Sequence, residues 1–191
     1  MNTPLPAALA GLALLLAVPT SAGAQDPAAL QAEGAALIKE YADTLGAALK
    51  GAIDRDGPAG AIGVCHEAAP RIAAEIGSRS GWTIRRTSLK ARNPSAQPSP
   101  YERAVLEEFQ SRLAGGGDIA TLTRAETVEE NGGKVFHLVK AIPTAELCLA
   151  CHGTTLKPEV KAKLDDLYPG DAATGFKAGD MRGAFSFAKR L

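Results

Sequence analysis

The chain lacks an excess of charge of either sign. Its 191 residues carry 21 Lys and Arg side chains against 21 Asp and Glu side chains, so the formal net charge is zero. Proteins recognise nucleic acids and anionic membranes mainly through clustered positive charge. The balance therefore gives no indication of a nucleic-acid partner or of an anionic membrane surface as a partner.

Long apolar runs are also missing, except at the N-terminus. Leu5 to Val18 is apolar but short for a membrane span, and Ala22-Gly23-Ala24 precedes Gln25. This layout predicts a secretory signal peptide, residues 1–24. The alternative is a short uncleaved anchor, since no Lys or Arg precedes the run, and no Cys follows it to carry a lipid. We expect a periplasmic or otherwise exported protein with no membrane contact after signal cleavage.

Internal repeats and low-complexity linkers are absent as well, and aromatic residues make up only 5% of the chain. Removing residues 1–24 from the 191 leaves 167, the size of one ordinary domain with its own core. We therefore expect a single domain over residues 25–191, with helices in its Ala-rich segments.

The spacing of apolar residues predicts helices in the first half and a sheet in the second. Helices are predicted from Pro27 to Ile53 with a break at Gly57-Pro58, over residues 62–76 with a kink at Pro70, from a Ser99–Glu102 capping box to Leu113, and over Pro158–Leu167. Strands are predicted at Trp82–Ser88, Ile119–Glu126, Lys134–Ile142 and Gly183–Ala188, with a hairpin turn at Asn131–Gly133. Helices that flank an antiparallel sheet make an α+β domain.

The residues that carry chemistry are concentrated in Cys148-Leu149-Ala150-Cys151-His152. Two thiols three positions apart lie on one side of a helical turn, so both can reach the vinyl groups at one edge of a porphyrin. The adjacent imidazole can then ligate the iron. Thr144 is placed as the N-cap of this turn. The motif predicts one covalent haem c, attached through Cys148 and Cys151 and ligated by His152.

Two other interpretations of the paired thiols fit the sequence less well. A redox C-x-x-C motif normally opens a helix after a strand in a parallel βαβ unit, which the predicted elements lack. A zinc site would place three ligands within five residues and take the fourth from far away, against the usual paired spacing. Covalent haem is therefore the hypothesis for this segment.

The second axial position of the iron has four candidates in the mature chain, which are Cys65, His66, His137 and Met181. Met181 would give the His/Met pair of electron-carrying cytochromes c. Strand alternation puts His137 opposite its apolar neighbours, and His66 lies about 100° around its helix from Cys65. Cys65 is the cysteine left over after haem attachment, and composition alone divides it evenly between core packing and iron ligation.

Six segments carry a resemblance that extends over nearly the whole mature chain: Ala61–Pro70, Trp82–Pro94, Cys148–Gly153, Tyr168–Pro169, Ala173–Gly175 and Gly179–Ala184. Together they resemble a bacterial family of single-haem, PAS-like domains. That family was long catalogued as a domain of unknown function and is typified by a cyanobacterial photosystem-associated haem protein. The sequence departs from the family's pattern at Ala96, Ser99 and Tyr101, where Asn, Asp and Trp are expected.

The resemblance implies a PAS-like fold, in which helices wrap over an antiparallel sheet and haem c is held at its side. It also implies an unusual Cys/His pair of iron ligands. On this sequence His152 is then one ligand, and Cys65, in the matching Val64-Cys65 segment, is the other. The function implied for the family is redox or small-ligand sensing.

A basic cluster, formed by Arg85, Arg86, Lys90 and Arg92, lies within one of the resembling segments. Haem carries two propionates, and guanidinium groups bind carboxylates bidentately. Alternation along a strand sends Arg85 and Arg86 to opposite sides. We therefore expect one or two of the four residues to bind a propionate, and the alternative is a solvated strand face.

These observations favour a haem protein that is not an enzyme. One hypothesis is a sensor, in which a redox change or a diatomic gas bound to reduced haem shifts the conformation of the PAS-like shell. The alternative is a low-potential periplasmic electron-transfer cytochrome c. The chain contains no kinase, cyclase or transmembrane relay, so a sensor needs a separate signalling partner and a carrier needs a redox partner. Peroxidase-like catalysis needs an open iron position, which Cys65 would fill.

Overall fold

A computed structural model describes residues 25–191, so the predicted signal peptide lies outside the described residues. The helices are α1 (Pro27–Gly63), α2 (Ala69–Ser80), α3 (Pro100–Ala114), α4 (Leu149–His152) and α5 (Pro158–Leu167). The strands are β1 (Thr83–Thr87), β2 (Thr123–Glu130), β3 (Gly133–Pro143) and β4 (Met181–Arg190). None of these helices is both long and apolar enough to cross a membrane.

Helix α1 begins at the predicted cap and is longer than predicted. The side chain of Asp26 accepts a hydrogen bond of 3.0 Å from the amide of Ala28, and Pro27 occupies the first turn. The predicted break is a kink at one residue, Gly57, whose φ of 70° and ψ of 177° are not helical. The helix resumes at Pro58 and continues to Gly63.

A five-residue π turn, Val64–Ala68, joins α1 to α2, where the sequence predicts a kink. Pro70 has no amide hydrogen, and its ring would meet the carbonyl group four residues earlier in a regular α-helix. The chain widens instead, and the amide of Ala69 donates to the carbonyl of Val64, five residues back. Cys65 lies within this turn, which is a conformation often found at functional sites.

The four strands form one antiparallel sheet in the order β1-β4-β3-β2. The predicted hairpin is confirmed, because Asn131 and Gly132 have φ angles of 51° and 77° between β2 and β3. Strand β2 begins later than predicted, since residues 119–121 form a 3-10 turn capped by the Asp118 side chain. Strand β4 is longer than predicted at both ends.

Helices cover both faces of the sheet. Phe136 and Leu138 of β3 pack in a cluster with residues of α1 and α2, whereas the alternate residues Val139 and Ala141 pack in a second cluster under α3. The predicted Ser99–Glu102 capping box begins α3 and is confirmed by bonds of 2.8 and 3.2 Å. The α+β class, the antiparallel sheet and the N-terminal helices are therefore as predicted.

Candidate functional site

One cleft at an end of the sheet brings together three thiols and an imidazole. Cys65, Cys148, Cys151 and His152 all line it. Its other walls come from α1 (Leu49, Ile53, Ala61 and Ile62), from the strand ends (Arg86, Thr87, Ile142, Arg182 and Gly183), from the loop after β1 (Ser88, Arg92, Asn93 and Ala96), and from Leu147 and Tyr168. The side chains that the sequence predicts as haem links and iron ligands thus share one mainly apolar cavity.

The segment with the paired cysteines forms a 3-10 turn, Glu146–Cys148, followed by the single turn of α4. Both thiols are half-buried. Burial raises the pKa of the Cys151 thiol. The charge of Arg92 lowers this pKa, whereas the neighbouring Cys65 and Cys148 raise it. The side chain of Cys151 therefore remains a neutral thiol near neutral pH.

The prediction that Thr144 caps this turn is wrong. The turn follows Ala145 and has no side-chain cap. Thr144 is buried instead, and its backbone bonds to the segment before β4, accepting from the amide of Gly179 at 2.9 Å and donating to the carbonyl of Asp180 at 2.8 Å. Its packing in the core keeps the hydroxyl away from the turn.

The imidazole of His152 is held in one tautomer. Nδ1 lies 2.7 Å from the carbonyl oxygen of Ala173, to which it can only donate. Burial lowers the pKa of His152 to about 2, aided by the charges of Arg182 and Arg92, while the bond to Ala173 opposes the shift. The ring is therefore neutral, and Nε2 keeps a lone pair. That is the form in which histidine ligates a metal.

Of the four candidates for the second axial ligand, Cys65 lines the cleft. The ring of His66 packs edge-on against Tyr168 with its centroid 5.3 Å away, and Met181 packs against the cluster under α3. His137 lies on the α3 side of the sheet, 4.4 Å from the ring centroid of Tyr101. None of these three residues is among those that line the cleft.

The predicted basic cluster divides between two sides of the sheet. Arg86 and Arg92 line the cleft. Arg85 turns to the opposite face, where its Nε lies 3.4 Å from Glu102 and its Nη2 donates to the loop carbonyls of Ser95 and Gln97 at 2.9 and 2.7 Å.

Lys90 also lies outside the cleft lining. Its Nζ donates to the carbonyl of Thr174 and lies 4.7 Å from the ring centroid of Phe176. The structure therefore brings two of the four predicted residues, Arg86 and Arg92, to the cleft, and propionate binding by either stays a prediction.

Arg182 is a cleft residue that the site predictions do not include. Its Nε lies 3.4 Å from Nε2 of His152, and its Nη1 donates to the hydroxyl of Ser88 at 3.2 Å. Burial and the nearby Arg92 and Arg86 lower the pKa of Arg182 to about 10, so it stays charged at neutral pH. The sequence feature that points to Arg182 is its position in Gly179–Ala184, one of the segments that carry the family resemblance.

The residues present fit a haem c. Two thiols and an imidazole lie in one short turn, a third thiol lies in the same cleft, and the cleft combines apolar walls with guanidinium groups suited to propionates. Nε2 of His152 is faced by Nε of Arg182 at 3.4 Å and by Nη1 of Arg92 at 3.5 Å, so these guanidinium groups would have to shift for iron to bind there. Residues 25–191 contain no group of three or more His, Cys, Asp or Glu placed to hold a bare metal ion.

The comparisons with known proteins agree with this architecture. None of the curated proteins compared with the chain matches it. The crystal structure of the cyanobacterial heme-protein Tll0287 is similar, with a TM-score of 0.65 and 24% identity, covering 87% of this chain and 97% of that chain. At this identity the likeness shows the fold. The family model described as Tll0287-like matches residues 19–189, nearly the whole described chain, and the protein therefore belongs to the Tll0287-like family.

Proposed function

We propose that this protein carries one haem c, linked covalently to Cys148 and Cys151, with His152 and Cys65 as the axial ligands of its iron. One observation carries the proposal: all four side chains line a single cleft, and the competing candidates Met181, His66 and His137 do not. The similar cyanobacterial structure is titled a heme-protein, which supports the same cofactor here.

The chain's own residues prepare the cleft for this cofactor. His152 offers a neutral imidazole because its Nδ1 donates to Ala173 and its pKa is lowered to about 2. Arg86 and Arg182 bring positive charge that would attract the propionates and the Cys65 thiolate. Haem, when bound, supplies an iron that changes oxidation state and binds small ligands at a free position.

The proposed role is redox or small-ligand sensing. A thiolate ligand favours ferric iron and lowers the reduction potential, because its negative charge stabilises the higher oxidation state. Reduction weakens that attraction, so the Cys65 bond would become labile and a diatomic gas could bind. The π turn that contains Cys65 also joins α1 to α2. Release of the Cys65 ligand would therefore change the conformation of the segment that connects the two helices packed over the sheet.

The second candidate function is a low-potential electron-transfer cytochrome c. The observation that favours it is the exposure of Leu147, a residue of the cleft wall whose surface is 48% exposed. An edge of the cleft therefore opens to solvent, and electron transfer between proteins needs an exposed haem edge. The reduction potential, measured by spectroelectrochemistry with and without carbon monoxide, separates the two roles. In a sensor that releases Cys65 the gas should shift this potential, and in an electron carrier it should not.

The remaining proposals concern location and partners. We propose a periplasmic or otherwise exported location, no membrane or nucleic-acid binding by the mature protein, and action through a separate redox or signalling partner. We propose no enzymatic role, because Cys65 would fill the position that peroxidase-like catalysis needs. Mass spectrometry of exported protein should show a chain that begins at Gln25, and full-length protein retained in membranes would refute cleavage.

The attachment of haem is tested with the protein produced beside a haem-attachment system. Wild-type protein should retain its haem in acidified organic solvent, single Cys148→Ala and Cys151→Ala variants should each lose one thioether bond, and the double variant should release the haem. Cys65→Ser is the matched control, because it removes a thiol from the same cleft and should leave haem attachment intact. Retention of haem by the double variant, or wild-type protein without haem, would refute the proposal.

A further inference from the structure

The guanidinium group of Arg92 is almost fully engaged by the protein itself. Nε and Nη2 lie 3.0 and 2.9 Å from Oδ2 of Asp171. Nη2 also donates to the carbonyl of Cys151 at 2.5 Å and to that of Ala173 at 3.3 Å. The side chains of Arg92 and Asp171 are only 7% and 10% exposed, so this is a buried ion pair.

The same contacts lead directly to the imidazole of His152. The second carboxylate oxygen of Asp171 accepts a bond of 2.8 Å from the amide of Ala173. The carbonyl of Ala173 then accepts from Nδ1 of His152 at 2.7 Å. Arg92 also holds the carbonyl of Cys151, the residue before His152, and its Nη1 lies 3.5 Å from Nε2 of the ring. Arg92 and Asp171 thus hold Ala173, whose carbonyl fixes this ring, and Arg92 also holds the carbonyl that precedes His152 in the chain.

We infer that the Arg92–Asp171 ion pair positions His152 and does not bind a propionate. The inference rests on the proposed function, in which His152 ligates the haem iron. Separating the pair would leave a buried carboxylate without its counter-charge, which is strongly unfavourable. The two side chains are therefore held in this arrangement. Arg92 lines the cleft with part of its side chain, whereas Asp171 is not among the lining residues. Arg86 and Arg182 remain as the cleft cations for the propionates.

The absence of Asp171 from the cleft makes it the position that tests the inference. In the haem-loaded protein, Asp171→Asn should keep the covalent haem but change the ferric low-spin signal in electron paramagnetic resonance to shifted or multiple species. Its melting temperature should fall by roughly 10 °C, because a buried guanidinium loses its counter-charge. Asp165→Asn is the matched control, since Asp165 forms an exposed pair with Lys161 at 2.6 Å and should change neither measurement.

Variants of Arg92 distinguish positioning from propionate binding. Arg92→Lys keeps the charge that a propionate needs but cannot bridge a carboxylate and two carbonyls. We expect its resonance spectrum to resemble that of Asp171→Asn. We also expect the loss of stability in the double variant Arg92→Gln/Asp171→Asn to be smaller than the sum of the losses in the two single variants. If Arg92→Gln lowers the potential while Asp171→Asn and Arg92→Lys keep the wild-type spectrum, the inference is overturned. Wild-type protein without haem would refute the proposed function instead.

Discussion

Nδ1 of His152 lies 2.7 Å from the carbonyl oxygen of Ala173, 21 residues further along the chain. A carbonyl only accepts hydrogen bonds, so Nδ1 carries the ring proton and the lone pair is on Nε2, which the guanidinium of Arg182 faces at 3.4 Å. The lowered pKa of His152 keeps a second proton off the ring. If His152 ligates iron as proposed, the polypeptide has already selected Nε2 as the coordinating nitrogen.

Substitution of Cys65 should separate thiolate ligation from the ordinary His/Met alternative. Ferric iron attracts the thiolate strongly, so Cys65→Ser should lose the low-spin thiolate signature in electron paramagnetic resonance and raise the reduction potential. Met181→Leu is the control, because Met181 packs under α3 and should leave both measurements unchanged. If Met181→Leu changes the spectrum and Cys65→Ser does not, the protein is a His/Met cytochrome. The sensor hypothesis would then be refuted, because it depends on Cys65 as the iron ligand.

The cations of the cleft should set the reduction potential. Neutralising Arg86 or Arg182 as Gln should each lower the potential by about 50 mV, because a positive charge near the haem favours reduced iron. Arg85→Gln is a matched control on the opposite face of the same strand, where Arg85 lies beside Glu102. Spectroelectrochemical titration at constant ionic strength gives the comparison. Equal shifts at positions 85 and 86 would show that the effect is not local to the cleft.

The sequence predicts best those features that depend on neighbours in the chain. The paired cysteines, the Ser99–Glu102 capping box and the Asn131-Gly132 turn each involve residues within four positions of one another, and each lies where it is predicted. For Cys65, composition alone favours core packing and ligation equally, and the family resemblance is what predicts ligation; the structure shows that Cys65 lines the cleft.

Features that depend on strand pairing could not be predicted in the same way. Arg182 reaches the cleft because β4 pairs with β1, which places Ala184 beside Thr87 in the sheet. No local pattern reveals a pairing between segments about a hundred residues apart. The π turn was likewise predicted only as a kink, because Pro70 excludes a regular helix without determining how the chain adjusts.

Replacement of Pro70 should change the coordination of the iron without removing a ligand. Pro70→Ala restores an amide hydrogen and removes the ring, so the π turn can relax to a regular α-helix. Loss of the extra residue in the turn would rotate Cys65 by about 100° relative to α2. We expect the thiolate signal to weaken. Pro158→Ala is the control, since Pro158 lies in the first turn of α5, where proline blocks no bond. An unchanged thiolate signal would show that Pro70 does not place Cys65.

Stability should depend sharply on Gly183, at the point where β4 enters the cleft. Gly183 has a φ of 157°, and a β-carbon there would lie 2.3 Å from the carbonyl oxygen of Thr87. Because that oxygen belongs to the backbone of β1, it cannot move aside without disturbing the strand pair, and Gly183→Ala should lower the free energy of unfolding by about 3 kcal/mol. Gly46→Ala in α1 is the opposite case, since nothing lies within 4 Å of its added carbon, and it should raise that free energy by about 1 kcal/mol. Urea unfolding of the haem-loaded variants measures both changes, and a Gly183→Ala protein as stable as wild type would show that β1 and β4 are not packed this closely.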